Sequence, residues 1–274
     1  MGLAATLAVG AAAGCVHRLP TPPDPNAPVR FQINVPFDNR TLALHLSRPG
    51  AIDGGRPLIL FATGDGGWRG KDKDAFEHLT RWGYPLAGFS APGYLQLIIR
   101  HTHLTTPADV ARDYARIIGL AKQQLGLPAG TRTILVGVSR GSGLAVAAAG
   151  ESALQPSLAG VVAVALTREE EYVQRPKRRR RAPRAAPPEM VMLDNYEYLP
   201  RLLTLPLSII QSTHDEYLPA EEARRLLGPD SPLRQLHPIV SRNHSFTDAR
   251  AALYIQLEAS LSWVCRFLPE ARTR

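Results

Sequence analysis

The sequence predicts an α/β fold in which helices cover both faces of a mostly parallel central sheet that opens with an N-terminal antiparallel hairpin. Short apolar runs, typical of strands buried on both faces, alternate along the chain with segments whose apolar residues recur at helical spacing. Such alternation is typical of parallel sheets. Of the 274 residues, 45% are hydrophobic and 20% are charged, which is enough apolar material for one large domain.

The predicted strands are bounded by turn residues, and the polar turn 37–40 joins the first two as a hairpin. The run 133–138 is the clearest strand, because it consists of β-branched residues, Leu and one Gly. The predicted strands are 30–35, 41–47, 56–62, 85–89, 133–138, 160–166, 207–211 and 236–240.

The predicted helices lie between these strands. The helix over 109–125 ends at Gly126, and the helix over 219–227 has Pro219 in its first turn, where Pro is favoured. The predicted helices are 73–82, 109–125, 139–150, 219–227 and 248–267.

Two segments fall outside this pattern. Residues 1–28 read as an apolar secretory signal, a lipobox-like stretch ending at Cys15, and a Pro-rich tether. We therefore expect Cys15 to be lipidated and the domain of residues 29–274 to be periplasmic or membrane-anchored, with a cytoplasmic protein as the alternative. Residues 168–200 are polar, basic and rich in proline, so we expect a lid, a binding loop or a disordered insert there.

The positive charge of the chain is local. The formal net charge is +8, and much of the excess lies in the run 177–181, so nucleic-acid binding is not predicted from it. This run is either a solvated loop or a surface that holds anionic lipid headgroups. Cys15 and Cys265 have neither metal-site nor disulfide-framework spacing, and we predict no metal and no cofactor.

Ser139 is predicted to be a nucleophile. It is the central residue of the pentapeptide 137–141, which has the pattern G-x-S-x-G, and it lies between the clearest strand and an Ala-rich helix. This strand–turn–helix context is that of the nucleophile elbow of α/β-hydrolases. The elbow places the hydroxyl at a helix N-terminus, whose dipole favours the negative charge that develops during acyl transfer.

A serine hydroxyl needs a base, which in this fold follows the acid along the chain. His244 lies after the last predicted strand and before the last helix, where the base is expected. Asp215, after the strand 207–211, is the predicted acid that orients the imidazole. Glu216 is the rival acid and Asp194 a third candidate.

The oxyanion hole requires two backbone N–H groups. We assign one to Arg140, which follows the nucleophile, and the other to Asp65 in the Gly-rich loop after the strand 56–62. A tight turn with a helix-capping carboxylate is the alternative for this loop. The remaining residues of the loop are predicted to contact substrate: Gly64, Gly66, Gly67 and Trp68.

These residues resemble a known family. The loop 64–68, the segment 106–114, the Ser139 pentapeptide and the segment 243–246 are similar to the VirJ/AcvB group of bacterial envelope α/β-hydrolases. The resemblance covers about 58–150 and resumes around His244. It implies a periplasmic serine hydrolase, and some members of the group are linked to hydrolysis of aminoacylated phosphatidylglycerol.

The sequence therefore predicts a serine hydrolase that cleaves a carboxylic ester of a small molecule or lipid through an acyl-enzyme. A lipid-linked or aminoacyl ester at the bacterial envelope is the expected substrate. Two alternatives are kept. One is an inactive binding protein that uses the basic insert, and the other is an acyltransferase with the same triad. No oligomeric state is predicted.

Overall fold

A computed structural model describes residues 27–37, 40–50, 55–98, 105–172, 191–202 and 204–268. It contains a large sheet whose strands are β1 (Val29–Phe37), β2 (Arg40–Arg48), β3 (Leu58–Ala62), β4 (Leu86–Phe89), β5 (Thr133–Val138), β6 (Leu158–Val164), β9 (Leu207–Ser212) and β10 (Arg234–Ile239). A second, two-stranded sheet is formed by β7 (Glu169–Tyr172) and β8 (Val191–Asp194). The helices are α1 (Gly70–Arg81), α2 (Ala91–Ile98), α3 (Pro107–Leu125), α4 (Arg140–Ala149), α5 (Asn195–Tyr198), α6 (Ala220–Leu227) and α7 (Arg250–Cys265).

The eight-stranded sheet has the order β1-β2-β4-β3-β5-β6-β9-β10. Strand β2 runs antiparallel to both β1 and β4, and every other neighbouring pair is parallel. The predicted fold class, with its opening hairpin, is therefore confirmed.

The sheet separates two apolar clusters. Along β3, Leu58, Leu60 and Ala62 face one cluster and Ile59 and Phe61 face the other, as the alternation of side chains along a strand requires. Helices α2 to α6 pack on the first face, and α1 and α7 cover the second. This burial on both faces explains why the central strands are apolar without interruption.

Every predicted strand is present within two residues of its predicted bounds, and every predicted helix within three. Helix α3 begins earlier than expected because Thr106 and Asp109 form a capping box, with Pro107 in the first turn. It ends as predicted at Gly126, which has a left-handed conformation (φ 70°).

Two regions differ from the prediction. Helix α2 was not predicted, because Pro92 and Gly93 favour a loop, but it forms with Tyr94, Leu97 and Ile98 buried. The segment 168–200 was expected to lack regular structure, yet its described ends form the antiparallel hairpin β7–β8 and the short helix α5. Pairing between its ends explains this difference, since a single polar strand gives little periodic signal.

The predictions for residues 1–26, including Cys15, and for the basic run 177–181 lie outside the described residues. No helix in the described part of the chain is long and apolar enough to cross a membrane.

Candidate active site

Ser139 lies in a sharp turn between β5 and α4. Its backbone is held at φ 52° and ψ −118°, an unusual conformation for a residue other than Gly, and its N–H donates to the Val164 carbonyl (2.8 Å). A Cβ on Gly141 would lie far inside van der Waals distance of the Ala62 carbonyl oxygen, and one on Gly137 would collide with the Gly141 carbonyl. The pentapeptide glycines therefore allow α4 to begin directly against the sheet.

His244 is brought to Ser139 by the loop between β10 and α7. Its Nε2 lies 2.8 Å from the Ser139 Oγ, and the residue is only 7% exposed. The Asp248 carboxylate closes this loop by accepting from the Ser241 hydroxyl (2.8 Å) and the Arg242 amide (3.2 Å). These hydrogen bonds hold the pKa of Asp248 at about 2, so the loop is fixed by a charged acceptor.

Asp215 lies behind the imidazole, with 2% of its surface exposed. Its Oδ2 is 2.7 Å from the His244 Nδ1 and also accepts from the Gln211 amide (3.0 Å). Its Oδ1 accepts from the backbone N–H groups of Tyr217 (2.9 Å) and Leu218 (3.3 Å). Since a carboxylate can only accept, the Nδ1 carries the proton and the Nε2 is left to accept from the Ser139 hydroxyl.

The two rival acids occupy other places. The Glu216 carboxylate accepts from the His244 backbone N–H (2.8 Å) and so contacts the main chain of the predicted base rather than its ring. Asp194 caps α5 by accepting from the Tyr196 amide (2.9 Å) and forms an ion pair with Arg168 (3.1 Å). Of the three carboxylates considered, Asp215 is the one that contacts the imidazole.

The Gly-rich loop after β3 lies beside the serine. The Gly64 amide donates to the carboxylate of Asp72 (2.9 Å), which is 2% exposed, and burial raises the pKa of Asp72. In the described part of the chain the Asp65 amide has no acceptor, whereas its carboxylate forms an ion pair with the Arg140 side chain. The two residues predicted to supply the oxyanion amides are thus linked through their side chains.

The four loop residues that were predicted to contact substrate do not all line the cleft. Gly64 and Gly66 line the cleft at Ser139, but Gly67 and Trp68 do not. Gly67 has φ 69°, and after this turn the Trp68 ring stacks on His45 (3.8 Å between centroids) and packs against Phe76. Trp68 therefore anchors the loop from outside this cleft, and contact of Gly67 and Trp68 with substrate stays a prediction.

The cleft has a volume of about 700 Å³. It contains side chains that the sequence did not single out, because they are brought in from neighbouring elements. Tyr217 is 67% exposed and meets the His244 ring edge-on at 4.8 Å, and Lys71 extends from the first turn of α1. The complete lining is Gly64, Asp65, Gly66, Lys71, Ser139, Arg140, Thr167, Arg168, Glu169, Glu216, Tyr217, His244 and Ser245. Within the described residues no three His, Cys, Asp or Glu side chains converge as metal ligands would.

The sheet topology, the turn at Ser139 and the order of Ser139, Asp215 and His244 along the chain define the α/β-hydrolase fold. Solved structures that share this fold include the following three. Est1E from Butyrivibrio proteoclasticus has a TM-score of 0.58 and 14% sequence identity, over 86% of this chain and 98% of that one. A dienelactone hydrolase from Anabaena variabilis has a TM-score of 0.54 and 20% identity, over 89% of this chain and 100% of that one. An alpha-beta serine hydrolase homologue from Coxiella burnetii has a TM-score of 0.56 and 14% identity, over 87% of this chain and 97% of that one.

More particularly, the chain is similar to one family within this fold. The model of the family described as bacterial virulence protein (VirJ) matches residues 57–173, from β3 through β7. The match includes the Gly-rich loop and the Ser139 pentapeptide, and it confirms the resemblance expected from these motifs. Among proteins of curated function, none matches the sequence.

Proposed function

We propose that the protein is a serine hydrolase that cleaves a carboxylic ester through an acyl-enzyme. The observation that carries this proposal is the continuous hydrogen-bonded series from the Ser139 Oγ to the His244 Nε2 (2.8 Å) and from the His244 Nδ1 to the Asp215 Oδ2 (2.7 Å). These distances suit proton transfer, and the series ends in an open cleft where an ester can reach the hydroxyl.

In the proposed reaction the Ser139 Oγ attacks the carbonyl carbon while His244 takes the hydroxyl proton. The amides of Asp65 and Arg140 stabilise the oxyanion, and the Asp215 carboxylate stabilises the imidazolium. When the ester C–O bond breaks, His244 gives its proton to the departing alcohol. Water, deprotonated by His244, then attacks the acyl-enzyme and releases the acid and the free Ser139.

The first test is labelling with a fluorophosphonate, together with turnover of 4-nitrophenyl butyrate by the full chain. We expect labelling and turnover by the wild type, loss of labelling in Ser139→Ala, and turnover reduced about 10³-fold or more. Ser262→Ala, which removes an exposed serine of α7, is the matched control and retains both. Free acid among the products distinguishes hydrolysis from acyl transfer to another acceptor. A folded wild type that neither labels nor turns over ester would instead indicate a binding protein.

We further propose that the natural substrate is a lipid-linked or aminoacyl ester at the bacterial envelope. The VirJ match and the lipobox-like sequence before Cys15 support this proposal. Fractionation of cells that express the wild type or Cys15→Ser tests the location. We expect the wild type in the membrane fraction and the variant outside it, whereas cytoplasmic recovery of both would contradict the proposal.

A further inference from the structure

Lys71 brings a cation to the wall of the cleft. It is the second residue of α1, directly after the Gly-rich loop, and its side chain is half-buried. The Nζ donates to the hydroxyl of Ser245 (2.7 Å), the residue after the proposed base. Both Lys71 and Ser245 line the same cleft as Ser139. The ammonium group therefore lies in the wall of the cleft that also contains Ser139 and His244.

Lys71 differs from the other two cations of the cleft lining in its partners. Arg140 forms an ion pair with Asp65, and Arg168 forms one with Asp194. Among the described residues, Lys71 forms no ion pair, and its one polar contact is with a neutral hydroxyl. A partly desolvated ammonium without a close counter-charge is a costly arrangement, which an anionic ligand would relieve.

The carboxylates near Lys71 do not occupy this role. Asp72 is buried and bonded to the Gly64 amide, and Glu216 is exposed and bonded to the His244 amide. Asp215, the third carboxylate, is bonded to the His244 ring. All three act on Lys71 from beyond ion-pair distance, and Arg250 is a second cation near it. The balance of burial and these charges lowers the pKa of Lys71, so the ammonium is more weakly stabilised than a solvated one.

We propose that Lys71 binds an anionic group of the substrate, so that the preferred ester carries a carboxylate or a phosphate close to its reacting carbonyl. This inference rests on the proposed esterase function and adds a substrate class to it. A charge-assisted hydrogen bond from Lys71 to that group orients the ester at Ser139, on the side of the cleft formed by α1 and Ser245.

The test distinguishes the effect of the positive charge of Lys71 from the effect of its hydrogen bond to Ser245. Lys71→Gln keeps a donor for the Ser245 hydroxyl but removes the charge, Lys71→Glu reverses the charge, and Lys73→Gln removes an exposed charge of the same helix outside the cleft lining. One pair of substrates places the anion in the acyl part and compares mono-4-nitrophenyl adipate, which is anionic, with 4-nitrophenyl hexanoate, which is neutral. The second pair places the anion in the alcohol part and compares 1-acetylglycerol 3-phosphate with 1-acetylglycerol. Hydrolysis of this pair is measured as release of acetate.

We expect the wild type to prefer the anionic member of at least one pair, and that pair identifies the source of the anion. Lys71→Gln lowers the anionic-to-neutral ratio of kcat/KM about tenfold, mainly through KM, because one charge-assisted contact is lost. Lys71→Glu inverts the preference, and Lys73→Gln leaves the ratio at the wild-type value.

Two results overturn the inference. One is a wild type that hydrolyses neutral esters without preferring either anionic partner. The other is an equal loss of kcat/KM for anionic and neutral esters in Lys71→Gln, which would make Lys71 a support for the Ser245 loop alone. Failure of the wild type to hydrolyse any of the four esters is a different outcome, because it contradicts the proposed function itself.

Discussion

Gln211 determines how the Asp215 carboxylate is held. It is fully buried at the end of β9, and its side-chain amide donates to the Asp215 Oδ2 (3.0 Å) and to the Leu218 carbonyl (2.6 Å). These two bonds span the loop that carries the proposed acid. Gln211 thus fixes the same carboxylate oxygen that faces His244, and we assign it a positioning role.

Replacing Gln211 with Leu keeps an apolar fit to the core but removes both donors. We expect kcat/KM for 4-nitrophenyl butyrate to fall about tenfold, equivalent to about 1.4 kcal/mol, because the carboxylate loses one of its four hydrogen bonds. The proton NMR signal of the His244 Nδ1–H, shifted downfield by its bond to Asp215, should move in this variant. Gln124→Leu, at an exposed site of α3, should change neither quantity. An unchanged signal with lower activity would indicate that Gln211 acts elsewhere.

The order of residues along the chain carries the information from which the candidate triad was predicted. Ser139, Asp215 and His244 could be chosen because each follows a predicted strand in the order this fold requires. Gln211, Lys71 and Tyr217 had no such signal, because their importance depends on contacts made across the fold. The direction of the Trp68 ring had no such signal either, since its position beside the Gly-rich loop does not show which way the ring turns.

The same limit appears for whole elements. Strands of the large sheet were found because burial on both faces leaves continuous apolar runs. Helix α2 and the β7–β8 hairpin were missed because they are short and depend on packing or pairing with the rest of the chain. Local propensity did not favour either element, and tertiary contacts determined both.

The close packing of the turn between β5 and α4 against the end of β3 predicts how a substitution in this turn changes stability. Gly141→Ala should lower the free energy of unfolding by about 3 kcal/mol or more, because the added Cβ would overlap the Ala62 carbonyl in a region of backbone that has no flexible side chain to move. Gly119 lies in the exposed middle of α3, and a Cβ added there would meet no other atom within 4 Å. Gly119→Ala should therefore raise the free energy of unfolding by about 1 kcal/mol. Urea unfolding of both variants checks this pair, and equal effects would contradict the close packing proposed for the turn.

The arrangement of the whole sheet explains why distant sequence motifs meet in one cleft. The Gly-rich loop follows β3, Ser139 follows β5, Asp215 follows β9 and His244 follows β10. These four strands are parallel, so their carboxyl ends lie at one edge of the sheet. The topology therefore places the proposed nucleophile, base, acid and oxyanion loop together without any local sequence signal linking them.

The insert between β7 and β8 contributes most of the net charge of the molecule. Residues 173–190 contain seven of the 32 Lys and Arg residues and one of the 24 acidic residues, so their removal lowers the formal net charge from +8 to +2. Tyr172 pairs with Val191, which fixes the two ends of the insert side by side. An Asn-Gly turn can therefore join the strands in place of the insert.

We expect this replacement to change the melting temperature little, because both ends remain paired in the hairpin. Binding to vesicles that contain anionic phosphatidylglycerol should fall about 100-fold or more, since each Lys or Arg near such a surface contributes about 1 kcal/mol. A second variant keeps the insert length but replaces its seven Lys and Arg residues with Gln, and it should lose vesicle binding to the same extent. Sedimentation with vesicles of anionic and of zwitterionic lipid measures the effect in a Cys15→Ser background, which removes any lipid anchor. If both variants sediment like the parent, the membrane attraction lies outside the insert, and the basic run is a solvated loop.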